Sequence, residues 1–227
     1  MLTRFDEHEA FFQPTVSPEH GSLYEHCARA LDVSLSLGPH GLPLIGTGDW
    51  NDGMNRVGKD GRGESVWLAW FLLDTLARFT PTAEARGDDE RAQAWQQFAT
   101  TVRAALERDG WDGAWYRRGY YDDGTPLGSD GSDECKIDVI AQSWSVISGA
   151  ADPARAAQAM AAVDARLVDR DNRVAMLFTP PFDLAQQDPG YIKGYPPGIR
   201  ENGGQYTHGA VWSVFAWAKL DDGDKAG

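Results

Sequence analysis

The stretch Gly63–Phe79, GESVWLAWFLLDTLARF, is apolar around most of a helical circumference. A helix of that kind is stable only when buried between neighbours. The chain must therefore supply further helices to cover it, and the period of its apolar residues supplies them. Ser22–Gly38 opens on a capping box (Ser22 with Glu25), places Leu23, Cys27, Ala30, Leu31 and Leu35 on one face, and ends on glycine. Asp88–Trp111 begins with acids, which suit the positive end of a helix dipole, and carries Ala92, Trp95, Phe98, Ala99, Val102 and Leu106 on one side. Ile137–Ser148 follows, then Asp152–Val168, where Asp152 and Pro153 stand as N-cap and first helical residue. Gln205–Leu220 is the last long helix. These segments define a mainly all-α chain of about six or seven helices at typical lengths.

Two stretches interrupt the helices. Trp115–Ser129 sets aromatics around an Asp-Asp-Gly turn and reads as a short hairpin or ordered loop. Phe178–Gly204 carries prolines and glycines that forbid regular structure over 27 residues, longer than the roughly 12–15 that structureless loops usually reach. Loops of that length are usually functional.

Charge excludes several functions. Among 227 residues, 34 acidic side chains outnumber 21 basic ones for a net charge of −13, which argues against a nucleic-acid groove or an anionic membrane surface. A small anion such as phosphate remains admissible where a few cations converge. Cys27 and Cys135 lie far apart outside any Cys-x-x-Cys and read as buried free thiols, with no zinc site or disulfide framework. The start, MLTRFDEHEAFFQPT, has no apolar signal core, and no segment reaches the ~18 apolar residues of a membrane span. A cytoplasmic protein without a direct membrane segment is expected.

The chemistry concentrates in Gly46–Gly58, GTGDWNDGMNRVG. If Asp49–Asp52 is extended, side chains alternate, so Trp50 and Asp52 project to one side and Asp49 and Asn51 to the other. An acid beside an indole suits a sugar, whose C–H face packs on an aromatic plane and whose glycosidic oxygen needs a proton as it leaves. The structural alternative is a glycine turn whose Asp and Asn groups hold their own backbone. A calcium loop is excluded, because aligning Gly53 with its glycine puts Gly48, Trp50 and Lys59 at ligand positions; no dinucleotide or phosphate-loop fingerprint fits.

The second constellation is Gly194–Trp212, GYPPGIRENGGQYTHGAVW. Tyr195, Arg200, Glu201 and His208 stand around a glycine pair that leads into a helix, where backbone N–H groups, a guanidinium and an imidazole could converge on an anion. Arg200 could equally pair with Glu201, and His208 could cap or pack. Trp67, Trp70, Trp95, Trp144, Trp212 and Trp217 lie on expected helices and read as core, and Lys193 as a solvated lysine.

At these two stretches the sequence resembles the inverting phosphorylases of glycoside hydrolase family 94, formerly glycosyltransferase family 36. HGLPLIGTGDWNDGMNRVG, GRGESVWLAWFL and GYIKGYPPGIRENGGQYTHGA are most similar to the C-terminal region of cyclic β-1,2-glucan synthases, and the likeness runs through practically the whole chain. It implies a partial (α/α)6 barrel, one incomplete domain over 1–227, with Asp52 as general acid and Trp50 contacting sugar. It further implies Tyr195, Arg200 and Glu201 on the acceptor-sugar side and His208 on phosphate, which serves as co-substrate without metal or other cofactor. Asp52 would have to carry its proton before phosphorolysis, a state that burial or nearby acids such as Asp49 would favour. The family's donor-gripping arginine and aspartate and its threonine-glycine phosphate loop have no counterpart here, and FDEHEAFFQP reads as mid-domain sequence. The expectation is a fragment acting on oligosaccharide and phosphate, with the remainder of a larger, membrane-tethered glucan synthase as partner. A carbohydrate-binding piece without turnover and an inverting hydrolase are the alternatives.

Overall fold

The computed structural model describes residues 17–227; the expectations for the first residues lie outside this range. Two compact units are distinguished, ending and beginning at Ser34 and Leu35. In the first, α1 (Leu23–Val33) starts where the capping box places it, with Ser22 Oγ accepting from the Glu25 amide at 3.2 Å. It ends short of Gly38, and its Cys27 is half-buried rather than buried.

The second unit is built from helices α2 (Val66–Ala85), α3 (Asp89–Ala105), α4 (Val139–Ile147), α5 (Pro153–Arg166), α6 (Thr207–Lys219) and the short α7 (Gly223–Ala226). A π-helical turn, Leu106–Gly110, extends α3. The mainly helical expectation and its reading as part of an (α/α)6 barrel hold. Helix α2 continues through Pro81, because a proline within a packed helix costs a hydrogen bond that burial of Leu72, Leu73, Leu76 and Ala83 offsets. Every residue of α4 is buried, and α2, α5 and α6 pack around it. The apolar helix is thus covered as its composition requires.

Strands are short. β1 (Glu64–Ser65), β2 (Gly119–Tyr120) and β3 (Pro126–Leu127) form an antiparallel sheet with β2 central, so the Trp115–Ser129 hairpin is docked against the start of α2. β4 (Ile137–Asp138) pairs with β7 (Phe178–Thr179), and β5 (Val168–Asp169) with β6 (Val174–Ala175). The long loop is therefore less irregular than its composition suggests. It begins as β7 and contains a 3-10 turn at Tyr191–Gly194, because its prolines fall outside these pieces. Asn202, fully buried, ties the loop together: its side chain accepts from the Phe182 amide and donates to the carbonyls of Phe182 and Tyr195, each at 2.8 Å.

Candidate functional site

The segment Gly46–Gly58 alternates as its sequence requires. The Asp49 carboxylate is inaccessible and Asn51 is buried, whereas Trp50 is half-buried and Asp52 exposed. The structural reading holds for Asp49, whereas the Asp52 side chain is left exposed. Asp49 holds the fold: Arg118 Nη1 and Nη2 donate to its two oxygens at 2.7 and 2.5 Å, Ser65 Oγ donates at 2.5 Å, and the Asn51 amide at 3.0 Å. Burial alone would push its carboxyl up, but the Arg118 charge and these hydrogen bonds outweigh it and hold Asp49 below the usual carboxylate range. Ser65 also caps α2 by accepting from the Leu68 amide at 3.0 Å. On the far side of the guanidinium, Arg118 Nε lies 3.3 Å from Asp138, the N-cap of α4. Burial raises the Asp138 carboxyl to about 6, against the pull of Arg118. One buried arginine from the hairpin therefore pins the loop to the N-termini of two core helices.

Asp52 opens a 3-10 turn, Asp52–Met54, that lies against the turn at Tyr191–Gly194. Glycine is required at 53, since a Cβ there would stand 2.9 Å from that of Ile192. The close approach brings the Tyr191 hydroxyl onto the Asp52 carboxylate; this hydrogen bond, with burial second, pushes the phenol up to about 12. The Asp52 side chain is exposed, and Asp49 faces away from it with its charge matched by Arg118.

The remaining residues continue from Tyr191 in an unbroken series of contacts. The Tyr191 and Tyr195 rings meet edge-on with centroids 6.2 Å apart, and the Arg200 guanidinium lies 4.6 Å from the Tyr195 ring centre. Arg200 Nε stands 3.3 Å from Glu201, so these two do pair, as the structural alternative held. Arg200 adopts φ +51, a conformation uncommon for a residue with a side chain, held by the Ile199–Asn202 bridge. The Glu201 charge is the first of the influences that raise the Tyr206 phenol, which also hydrogen-bonds to it. Tyr206 packs edge-on to Trp50 at 5.5 Å, and Trp50 Nε1 donates to His208 Nδ1 at 2.9 Å. His208 therefore neither caps its helix nor packs in the core.

All six residues expected to form the site are thus joined in one partly exposed cluster. Three members were not expected: Tyr191 and Tyr206, and Trp212, whose ring centre lies 4.2 Å from that of His208 and 5.4 Å from that of Trp50. Trp212 shares its helix period with core residues, and only its offset of four from His208 could have flagged it. The Lys193 ammonium is not free in solvent but hydrogen-bonds to the Ala185 carbonyl.

The cluster thus gathers an acid, a half-buried indole, tyrosines, an arginine–glutamate pair and an imidazole, side chains with the aromatic faces and hydrogen-bonding groups that carbohydrates and small anions can use. Residues 6–227 match the family described as the glycosyl hydrolase 94 superfamily, catalytic domain. The chain belongs to glycoside hydrolase family 94, as the motifs had implied. It is 57% identical to the cyclic beta-(1,2)-glucan synthase NdvB of Rhizobium meliloti over 97% of its own length and 8% of that protein. Two proteins of Paenibacillus borealis are also similar: 3-O-beta-D-glucopyranosyl-beta-D-glucuronide phosphorylase, 36% identical over 88% of this chain and 26% of that one, and solabiose phosphorylase, 35% over 96% and 29%. The chain thus spans less than a third of the length of each of these relatives.

Proposed function

We propose that this chain carries the acid and acceptor-sugar side of an inverting glycoside phosphorylase site for β-linked, specifically β-1,2-linked, glucooligosaccharides. Asp52 protonates the glycosidic oxygen while inorganic phosphate, the only co-substrate and in need of no metal or other cofactor, attacks the opposite face of the anomeric carbon. The C–O bond to the leaving sugar breaks, a C–O bond to phosphate forms, and α-glucose 1-phosphate results. One protein carboxyl suffices, because phosphate replaces the water and base of an inverting hydrolase. Trp50 and Tyr195 offer aromatic surface to the sugar, Arg200 and Glu201 hydrogen-bonding groups, and His208 a contact to phosphate. A saccharide lying on these rings would exclude water from Asp52.

The observation that carries this reading is the continuous contact path from Asp52 through Tyr191, Tyr195, Arg200, Glu201, Tyr206 and Trp50 to His208. The site lies open, and the remainder of a larger glucan synthase would complete it. No helix among the described residues is long and apolar enough to cross a membrane. The test is release of α-glucose 1-phosphate from β-1,2-glucooligosaccharides, followed by 31P NMR. Release that requires phosphate and is abolished by Asp52→Asn, with sugar binding retained, is expected. Release without phosphate would make the protein a hydrolase, and calorimetric sugar binding without turnover would make it a binding module.

A further inference from the structure

Trp50 does more in this arrangement than offer a ring. Its indole N–H is a donor with no acceptor capacity, and it is aimed at His208 Nδ1 at 2.9 Å. That bond requires a free electron pair on Nδ1. The imidazole must then be uncharged and carry its proton on Nε2. Protonation of both nitrogens would set two N–H groups against each other. The rings stand at 76° to one another, and Trp212 packs on the imidazole from another side at 47°. His208 is therefore held in orientation as well as in tautomer. Its Nε2–H has no protein partner among the described residues, and the residue is exposed.

We propose that Trp50 is a positioning residue: through Nδ1 it fixes His208 as the Nε2–H tautomer, so that the anion side of the site is read by an uncharged hydrogen-bond donor and not by a cation. The phosphate half of this statement rests on the function proposed above. The arrangement suits a nucleophilic anion. A neutral donor orients one phosphate oxygen and leaves the charge that drives attack on the anomeric carbon, whereas an imidazolium ion pair would blunt it. The nearest guanidinium on the path, Arg200, already has its charge matched by Glu201. The same indole would touch the sugar, so saccharide and phosphate would be sensed through one side chain.

Long-range 1H–15N correlation spectra of protein labelled with 15N-histidine give the test. Wild-type His208 is expected to show the Nε2–H pattern at neutral pH. Trp50→Phe, which keeps an aromatic ring and removes the donor, is expected to shift it to a tautomer mixture; Trp212→Phe leaves the donor and should leave the pattern. An Nδ1–H or evenly mixed His208 in the wild type, or a pattern unchanged in Trp50→Phe, overturns the proposal. The wild-type spectrum can overturn the proposal even if Trp50→Phe does not fold. Inorganic phosphate should move the His208 Nε2 resonance, and its affinity should fall about threefold to tenfold in Trp50→Phe, the worth of one hydrogen bond. An intact tautomer that ignores phosphate would sustain the positioning role of Trp50 and remove His208 from the proposed function.

Discussion

Replacing Arg118 by Met tests whether the buried charge cluster holds the Asp49–Asp52 segment in place. The guanidinium is inaccessible and makes two hydrogen bonds to Asp49, with Asp138 at 3.3 Å on its other side. Removing it leaves two buried carboxyls without a cation, which typically costs about 3–5 kcal/mol. The cost must depend on pH. In the wild type Asp49 is held below its ordinary value of 3.8, so its contribution is present above that pH and lost as pH falls. Asp138 is raised to about 6, so its contribution is present at low pH and lost as pH rises through about 6. Without Arg118 both carboxyls fold best with a proton. Near pH 5 Asp138 already holds its own, and the variant must add one to Asp49 at about 1.4 kcal/mol per pH unit, or roughly 1.5 kcal/mol. Near pH 7 the same proton costs about 4 kcal/mol and Asp138 adds about 1 more. Urea unfolding at the two pH values measures both losses. A loss below about 1 kcal/mol near neutrality, or one that does not grow with pH, would refute the reasoning. Arg118→Met/Asp49→Leu should recover much of the loss, because an unpaired buried charge is then removed.

Two further outcomes follow from the turn contacts. The Tyr191 phenol should ionise near 12 and return toward its ordinary value of 10.0 in Asp52→Asn, as read by ultraviolet difference titration; an unchanged midpoint would mean that the two side chains do not meet. Gly190→Ala should destabilise the chain by more than about 2 kcal/mol in thermal or urea unfolding, since Gly190 has φ +119 and a Cβ there would overlap Asn55 Oδ1 and stand 2.6 Å from the Gly53 carbonyl. Full stability would show that the two turns are not pressed together.

The helices were legible because their signals are local. The capping box at Ser22, the Asp152–Pro153 start and the apolar face of Asp88–Trp111 each lie within a few turns of sequence. The same is true of the alternation at Asp49–Asp52, which needs four consecutive residues and the period of extended chain. Arg118 was not legible, because its partner Asp49 lies 69 residues away across the β1–β2 pairing. Its one sequence signal is an arginine set among aromatics, WYRRGYY, where burial would demand an acid. Tyr191 was missed for a related reason: the proximity of the two turns rests on Gly53 and Gly190, whose missing side chains leave no apolar pattern. The continuation of α2 past Pro81 reflects tertiary burial overriding local preference.

The central claim is that Asp52, Trp50 and His208 address a single saccharide and a single phosphate. A crystal structure with a β-1,2-glucooligosaccharide and phosphate bound measures this most directly. The account predicts a glycosidic oxygen within hydrogen-bonding distance of the Asp52 carboxyl, the adjoining sugar against the Trp50 indole, and phosphate on His208 Nε2. A saccharide bound elsewhere with Asp52 left in solvent, or phosphate remote from the imidazole, would contradict it.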